Sequence, residues 1–222
     1  MDFSNKQSGI FYIDRDNAFY YDRGYSSPLK INFTEDIFAH SEIIDRKKFD
    51  ALLQDFIIKN KINPNKIIHI ILSPLITFEK DFDKKTVISE AEIQELLDLI
   101  PFEEIISKEF QLNNKIMIIS ANKQLCNVIR NVFEENKFIV GTIVPMSVLK
   151  EIIPELEKNL NLEIILNRTD VLKTYSLYTI GEITSAVAHP KKKNSINIRY
   201  VILLGILGAL IILLGTILFL RL

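Results

Sequence analysis

Residues 66–74 read KIIHIILSP, an apolar hexapeptide held between a lysine and a Ser-Pro breaker. A continuous apolar run of this length suits a strand buried on both faces, as in the parallel part of an α/β sheet. Upstream, Asp45 is placed to cap a helix in which Phe49, Leu52, Leu53, Phe56 and Ile57 recur on one face, and Asn63-Pro64-Asn65 stops it. Earlier still, residues 10–13 and 18–23 are aromatic and β-branched runs around the polar turn Asp14-Arg15-Asp16-Asn17. They predict a β-hairpin, with a third strand over 29–33 after Ser26-Ser27-Pro28.

Downstream the alternation continues. A strand is expected over 75–80, after Pro74. Ser89 and Glu92 have capping-box spacing for a helix carrying Ile93, Leu96, Leu97 and Ile100, which Pro101 ends. Residues 115–120 read as another buried strand. Asn122 then caps a helix with Leu125, Ile129, Val132 and Phe133 inward, followed by a strand over 138–144. Pro145 opens an amphipathic helix bearing Val148, Leu149, Ile152, Ile153 and Leu156, bent near Pro154. A strand over 162–166 and an ambiguous segment over 171–180 complete the domain. Strands alternating with helices place it in the α/β or α+β class with a mixed sheet.

The C-terminal stretch is of a different kind. Residues 200–220, YVILLGILGALIILLGTILFL, contain no charge and no proline. Twenty-one residues at about 1.5 Å each span roughly 30 Å, the thickness of a bilayer's hydrocarbon core, so a transmembrane helix is expected. Lys191, Lys192, Lys193 and Arg199 precede it, whereas only Arg221 follows. Excess positive charge marks the cytoplasmic side, so the sequence predicts a single-pass membrane protein. Its N-terminal domain, 1–180, is expected in the cytoplasm, with a basic linker over 181–199 and the C-terminus outside. The first residues show no signal-peptide pattern. Gly205, Gly208, Ala209 and Gly215 fall on one side of the predicted helix, and Gly205-x-x-x-Ala209 is a small-xxx-small pair suited to packing on another transmembrane helix.

Composition bounds the remainder. The chain is 48% hydrophobic and 25% charged with a formal net charge of −1, which is globular and gives no reason to expect nucleic-acid binding. A single cysteine, Cys126, excludes an intramolecular disulfide and falls among Leu125, Ile129 and Phe133 as a buried structural thiol. His40, His69 and His189 have no second ligand at metal spacing. The turn Asp14–Asn17 begins like a calcium loop, but Phe19 and Tyr25 occupy the positions that require Gly and Glu. No phosphate-binding glycine loop, dinucleotide fingerprint or nucleophile elbow occurs. No catalytic centre, cofactor or metal site is expected.

The order of pieces carries a resemblance. The strand–turn–strand opening with Ile13-Asp14, the helix, and IIHIILSP followed by Ile76-Thr77-Phe78-Glu79-Lys80 look like the start of an actin-like domain. Then come Glu90-Ala91-Glu92-Ile93, Ile100-Pro101-Phe102-Glu103, a strand over 116–120, Ala121-Asn122-Lys123, a helix, and the run from Phe138 to Pro145. This series resembles the inserted subdomain of PilM proteins of type IV pilus assembly and of the cytoplasmic part of GspL from type II secretion. The resemblance implies a partial actin-like (ribonuclease H-like) domain with an inserted small α/β subdomain over roughly 75–144. It also implies a non-catalytic scaffold of an assembly platform, binding cytoplasmic and membrane protein partners. Actin-like ATPases hold a phosphate with a glycine in the first hairpin, whereas here Asp16 stands at that position between Asp14 and Asn17. The second half of such a fold has no room before the membrane segment, so a pseudo-enzyme is expected. Two other readings stay open at this point: a membrane-tethered nucleotide-binding actin-like protein completed by a partner chain, and an unrelated single-pass regulator.

Overall fold

The hairpin is formed by β1 (Ser8–Ile13) and β2 (Asn17–Tyr21), in antiparallel register with Ile13 opposite Ala18, and β3 (Leu29–Asn32) adds to β2. This computed structural model describes residues 7–84 and 88–178, all within the unit Met1–Ile180. A miniature hairpin follows, β4 (Phe38–Ala39) and β5 (Glu42–Ile43), turned by His40 and Ser41 at φ 53° and 64°. Then α1 (Arg46–Lys59) starts at Asp45, whose side chain accepts from Lys48 N, and buries Phe49, Leu53, Phe56 and Ile57. β6 (Ile67–Leu72) is the KIIHIILSP strand.

A 3₁₀ turn over Pro74–Ile76 leads into β7 (Thr77–Asp83), so the strand expected over 75–80 begins two residues later. α2 (Glu90–Asp98) carries both hydrogen bonds of the Ser89–Glu92 capping box. β8 (Ile105–Gln111) and β9 (Lys115–Asn122) come next, then α3 (Lys123–Glu135), capped by Asn122. β10 (Ile139–Pro145), α4 (Met146–Ile152), a 3₁₀ turn at Pro154–Leu156, α5 (Leu162–Leu166) and α6 (Thr169–Leu172) end the series.

The main sheet has the order β10-β6-β1-β2-β3. β1, β2 and β3 form an antiparallel meander, while β6 runs parallel to both β1 and β10. β6 is thus an interior strand, and its apolar run is buried from Ile68 to Leu72, as the sequence required. One face of the sheet packs Ile10, Tyr12, Ile71 and Val144 against Leu149, Ile153, Leu156, Leu162 and Ile165. On the other, Phe11 meets Phe133 of α3 edge-on, with ring centroids 5.0 Å apart. Gly141 interrupts the β10 register, and a Cβ there would come within 2.7 Å of Ile67 and 3.0 Å of His69.

A second, three-stranded sheet has the order β7-β9-β8. It lies between β6 and α3 in sequence, so the insertion runs over 77–122. β10, which the sequence reading placed inside an insertion over 75–144, belongs to the main sheet beside β6.

Two expectations are corrected. Residues 162–166 are helical, not a strand: the Asn161 side chain accepts from Glu163 N and Ile164 N, and Leu162, Ile165 and Leu166 are buried at helical spacing. A five-residue apolar run has no periodicity of its own to separate the two states. β8 was not anticipated, because Lys108 and Glu109 interrupt its apolar pattern. In the ambiguous segment, α6 covers Thr169–Leu172, and Leu177 N then donates to Ile143 O at 2.8 Å. The linker over 181–199 with Lys191, Lys192, Lys193 and Arg199, and the expected membrane helix over 200–220 with Gly205, Gly208, Ala209 and Gly215, lie outside the described residues. Among the described residues no helix is long and apolar enough to cross a membrane.

Candidate functional site

In an open sheet with parallel strands, ligands bind outside the carboxyl ends of those strands, where the chain leaves in opposite directions. Here that place lies beyond Ile13 and Leu72, where β1 returns through the hairpin turn and β6 passes to the insertion. The turn Asp14–Asn17 closes with Asp14 N donating to Asn17 O at 2.8 Å. Arg15 N donates to Asp14 Oδ1, also at 2.8 Å, and Asp16 O accepts from Phe33 N. Two of the amides that could face an anion are therefore already engaged, and two carboxylates stand beside them. The buried Asn17 Oδ1 has no hydrogen-bond partner among the described residues. The structure thus brings Asp14, Asp16 and Asn17 into one turn.

Next to the turn is a network of hydroxyls. Ser73 N donates to Ile13 O, and the Ser73 hydroxyl accepts from Leu75 N at 3.1 Å. Burial raises the pKa of Tyr12; its hydrogen bond with Ser73 opposes this and the charge of Asp14 adds to it. Glu79 Oε1 accepts from Thr77 Oγ1 at 2.7 Å and from Ser147 Oγ at 2.6 Å, joining β7 to the first turn of α4. These groups satisfy one another, and their evident work is to stitch the insertion to the main sheet.

The residues with reactive potential lie elsewhere. His69 is buried in β6, 2.9 Å from Thr142 Oγ1. Burial, assisted by the charge of Lys173, pushes its imidazole down to about 4, so it is neutral at physiological pH. Cys126 is wholly buried on α3, and burial pushes its thiol up to about 12. His40 occupies the turn between β4 and β5, and His189 is outside the described residues. Among the described residues no His, Cys, Asp and Glu side chains gather as metal ligands.

The opposite, amino edge of the main sheet holds a cluster that the sequence reading missed. Lys66 Nζ lies 2.5 Å from Asp22 Oδ2, which also accepts from the Tyr20 hydroxyl at 2.6 Å. Asp22 Oδ1 accepts from Gly24 N at 2.6 Å. Burial pushes the Asp22 carboxyl up, but the Lys66 ammonium, the Tyr20 hydroxyl and the Gly24 amide together bring it below the ordinary value. Burial, with Asp22 beside it, raises the Tyr20 pKa. Gly9 makes room for this arrangement, since a Cβ there would lie 2.7 Å from the Tyr20 hydroxyl. The available signal was Lys66 itself, a charge opening a strand that is otherwise apolar.

The described residues form cavities at two places, among others. One of about 460 Å³ is lined by Phe19, Tyr21, Ser26, Pro28 and residues 160–163. The other, about 220 Å³, is lined by Gln7, Ser8, Arg23, Leu166 and Thr169. Neither is lined by Asp14, Asp16 or Asn17.

No family model matches the sequence, and no curated protein matches it. Among solved structures, the chain is similar to a PilM-PilN type IV pilus biogenesis complex, at 8% identity and a TM-score of 0.43 over 62% of this chain and 46% of that one. A Bacteroides thetaiotaomicron protein with an actin-like ATPase fold and unknown function gives 12% identity and a TM-score of 0.40, over 66% of this chain and 55% of that one. The cytoplasmic domain of EpsL, an inner-membrane component of the Vibrio cholerae type II secretion system, gives 5% and 0.34, over 62% and 54%. The chain spans about half the length of each.

Proposed function

We propose that this chain is a non-catalytic, membrane-anchored scaffold of a type IV pilus or type II secretion-like inner-membrane assembly platform. Its domain faces the cytoplasm and recruits cytoplasmic and membrane protein partners, and its C-terminal helix packs on another through the Gly205–Ala209 face. The observation that carries the non-catalytic part is the first hairpin turn. The amides of Asp14 and Arg15 are engaged within it, and Asp14 and Asp16 set negative charge where an actin-like phosphate loop needs glycine. The ordered resemblance of residues 10–156 to PilM-like and GspL-like domains supports the platform role. The apolar run with its basic flank supports the anchor.

Calorimetric titration of the full-length chain with ATP and Mg²⁺ tests the proposal, and the expected result is no saturable heat. Saturable binding that Asp14→Ala abolishes overturns it, in favour of a tethered nucleotide-binding protein whose site a partner chain completes. The anchor is tested by alkaline carbonate extraction of membranes, from which the chain should not be released.

A further inference from the structure

The last described residues, Ser176 to Tyr178, touch three separate parts of the domain. Leu177 N donates to Ile143 O at 2.8 Å, and Ile143 N donates to Ser176 Oγ at 3.2 Å, so this segment covers the outer edge of β10. Lys108 Nζ, on β8 of the insertion, donates to Ser176 O at 2.5 Å. The Tyr178 hydroxyl lies 3.2 Å from Asn127 Oδ1 on α3, and the Arg130 guanidinium sits 5.6 Å from the centre of the Tyr178 ring. In sequence the segment leads directly to the basic linker.

We infer that residues 176–178 are a latch that holds the insertion against the β10 edge and ties its position to the chain segment leading to the linker. Besides the two covalent crossings at 73–77 and 122–123 and the packing of β8 and β9 on α3, the insertion meets its surroundings through polar contacts. These are Glu79 with Ser147, Lys115 with Glu151 at 2.8 Å, Asn122 with the Ser41 carbonyl at 3.2 Å, and Lys108 with Ser176. Polar contacts can be exchanged for water when a seam opens, at less cost than exposing an apolar interface. Lys108 is the contact through which the segment after α6 joins that seam.

Arg130 gives the latch its bias. It is only 3% exposed, yet Nε and Nη1 have no hydrogen-bond partner among the described residues, and Nη2 reaches only Asn127 Oδ1 at 3.2 Å. A buried guanidinium left partly unsatisfied raises the energy of the closed state. A partner that moves the insertion therefore also moves residues 176–178. This coupling stands on the contacts of residues 176–178 whether or not the chain is the platform scaffold proposed above.

Amide hydrogen exchange on the full-length chain in detergent tests it with Lys108→Met, Tyr178→Leu and the two combined. Each single change should speed exchange at Ile143 and Leu177, and also in β7 and β9, by about tenfold, with α1 unchanged. The double variant should speed exchange in β7 and β9 by about the product of the two single effects, because two separate contacts hold one opening equilibrium. Unchanged exchange in β7 and β9 in either single variant, or a double variant that exchanges there no faster than Lys108→Met alone, overturns the inference. Should either change disturb α1 as well, Tyr178→Phe decides: it removes the hydroxyl that meets Asn127 and keeps the ring beside Arg130, and β7 and β9 must again speed up.

Discussion

The two edges of the main sheet use the same residue type in opposite ways. At the amino edge Asp22 is 1% exposed and held by a lysine, a tyrosine and a backbone amide. At the carboxyl edge Asp16 is exposed and engages the fold through its backbone carbonyl. A carboxylate that is buried with its partners is part of the fold's stability, and removal of one partner leaves an uncompensated charge. The carboxylate at the turn is solvated and costs the fold little. The sheet thus carries a buried ion pair where β6 begins and an acidic, solvated turn where β1 ends.

The sharpest way to break this contrast is Lys66→Met, which should destabilise by about 3–5 kcal/mol in chemical denaturation. Asp22→Asn added to it should cost less than the two changes separately, because the stranded charge is gone. The pH dependence should come next in size. His69 is neutral in the folded state with its pKa near 4, against 6.5 when unfolded. The unfolded chain therefore binds a proton first as pH falls. Stability present above pH 6.5 should decline toward pH 4 by up to about 3 kcal/mol, and His69→Gln should flatten that slope.

Smaller effects separate local backbone from charge. Helices α1 and α3 both end in Asn-Lys, with Lys61 and Lys137 at φ 51° and 66° and each Asn side chain donating back to the carbonyl four residues earlier. Glycine is free of the left-handed penalty, so Lys61→Gly and Lys137→Gly should each raise stability by about 0.5–1 kcal/mol in thermal melts. Asp16→Gly, at the other edge, should change stability by less than about 0.5 kcal/mol. A loss of several kcal/mol there would erase the distinction between the edges.

Much of the architecture was legible because its signals were redundant. The caps Asp45, Ser89 and Asn122 and the face spacing behind each agreed, and all three helices start where those caps stand. KIIHIILSP announced an interior strand by having no polar face. Where one signal stood alone, the reading failed or fell short. LEIIL over 162–166 has no length to show a period, and the decisive group, the Asn161 side chain, precedes it. IISKEFQ carries its charges on an edge strand, where solvent accepts them. The acidic turn was visible from Asp14 and Asp16. The Lys66–Asp22 cluster and the 176–178 latch were not, since each depends on residues tens of positions apart that only the folded chain brings together.

The placement of β6 also governs how the chain can fold. Its neighbour β1 is already made when Ile67–Leu72 is synthesised, but the strand for its other side, Ile139–Pro145, follows only after residues 73–138. Until then a six-residue apolar segment with an open backbone edge waits for its partner, which is the pattern that invites self-association between nascent chains. The insertion, whose antiparallel pairs are close in sequence, can form during that interval. The last strand of the main sheet therefore sets the pace of assembly, and a chain stopped short of residue 139 should aggregate.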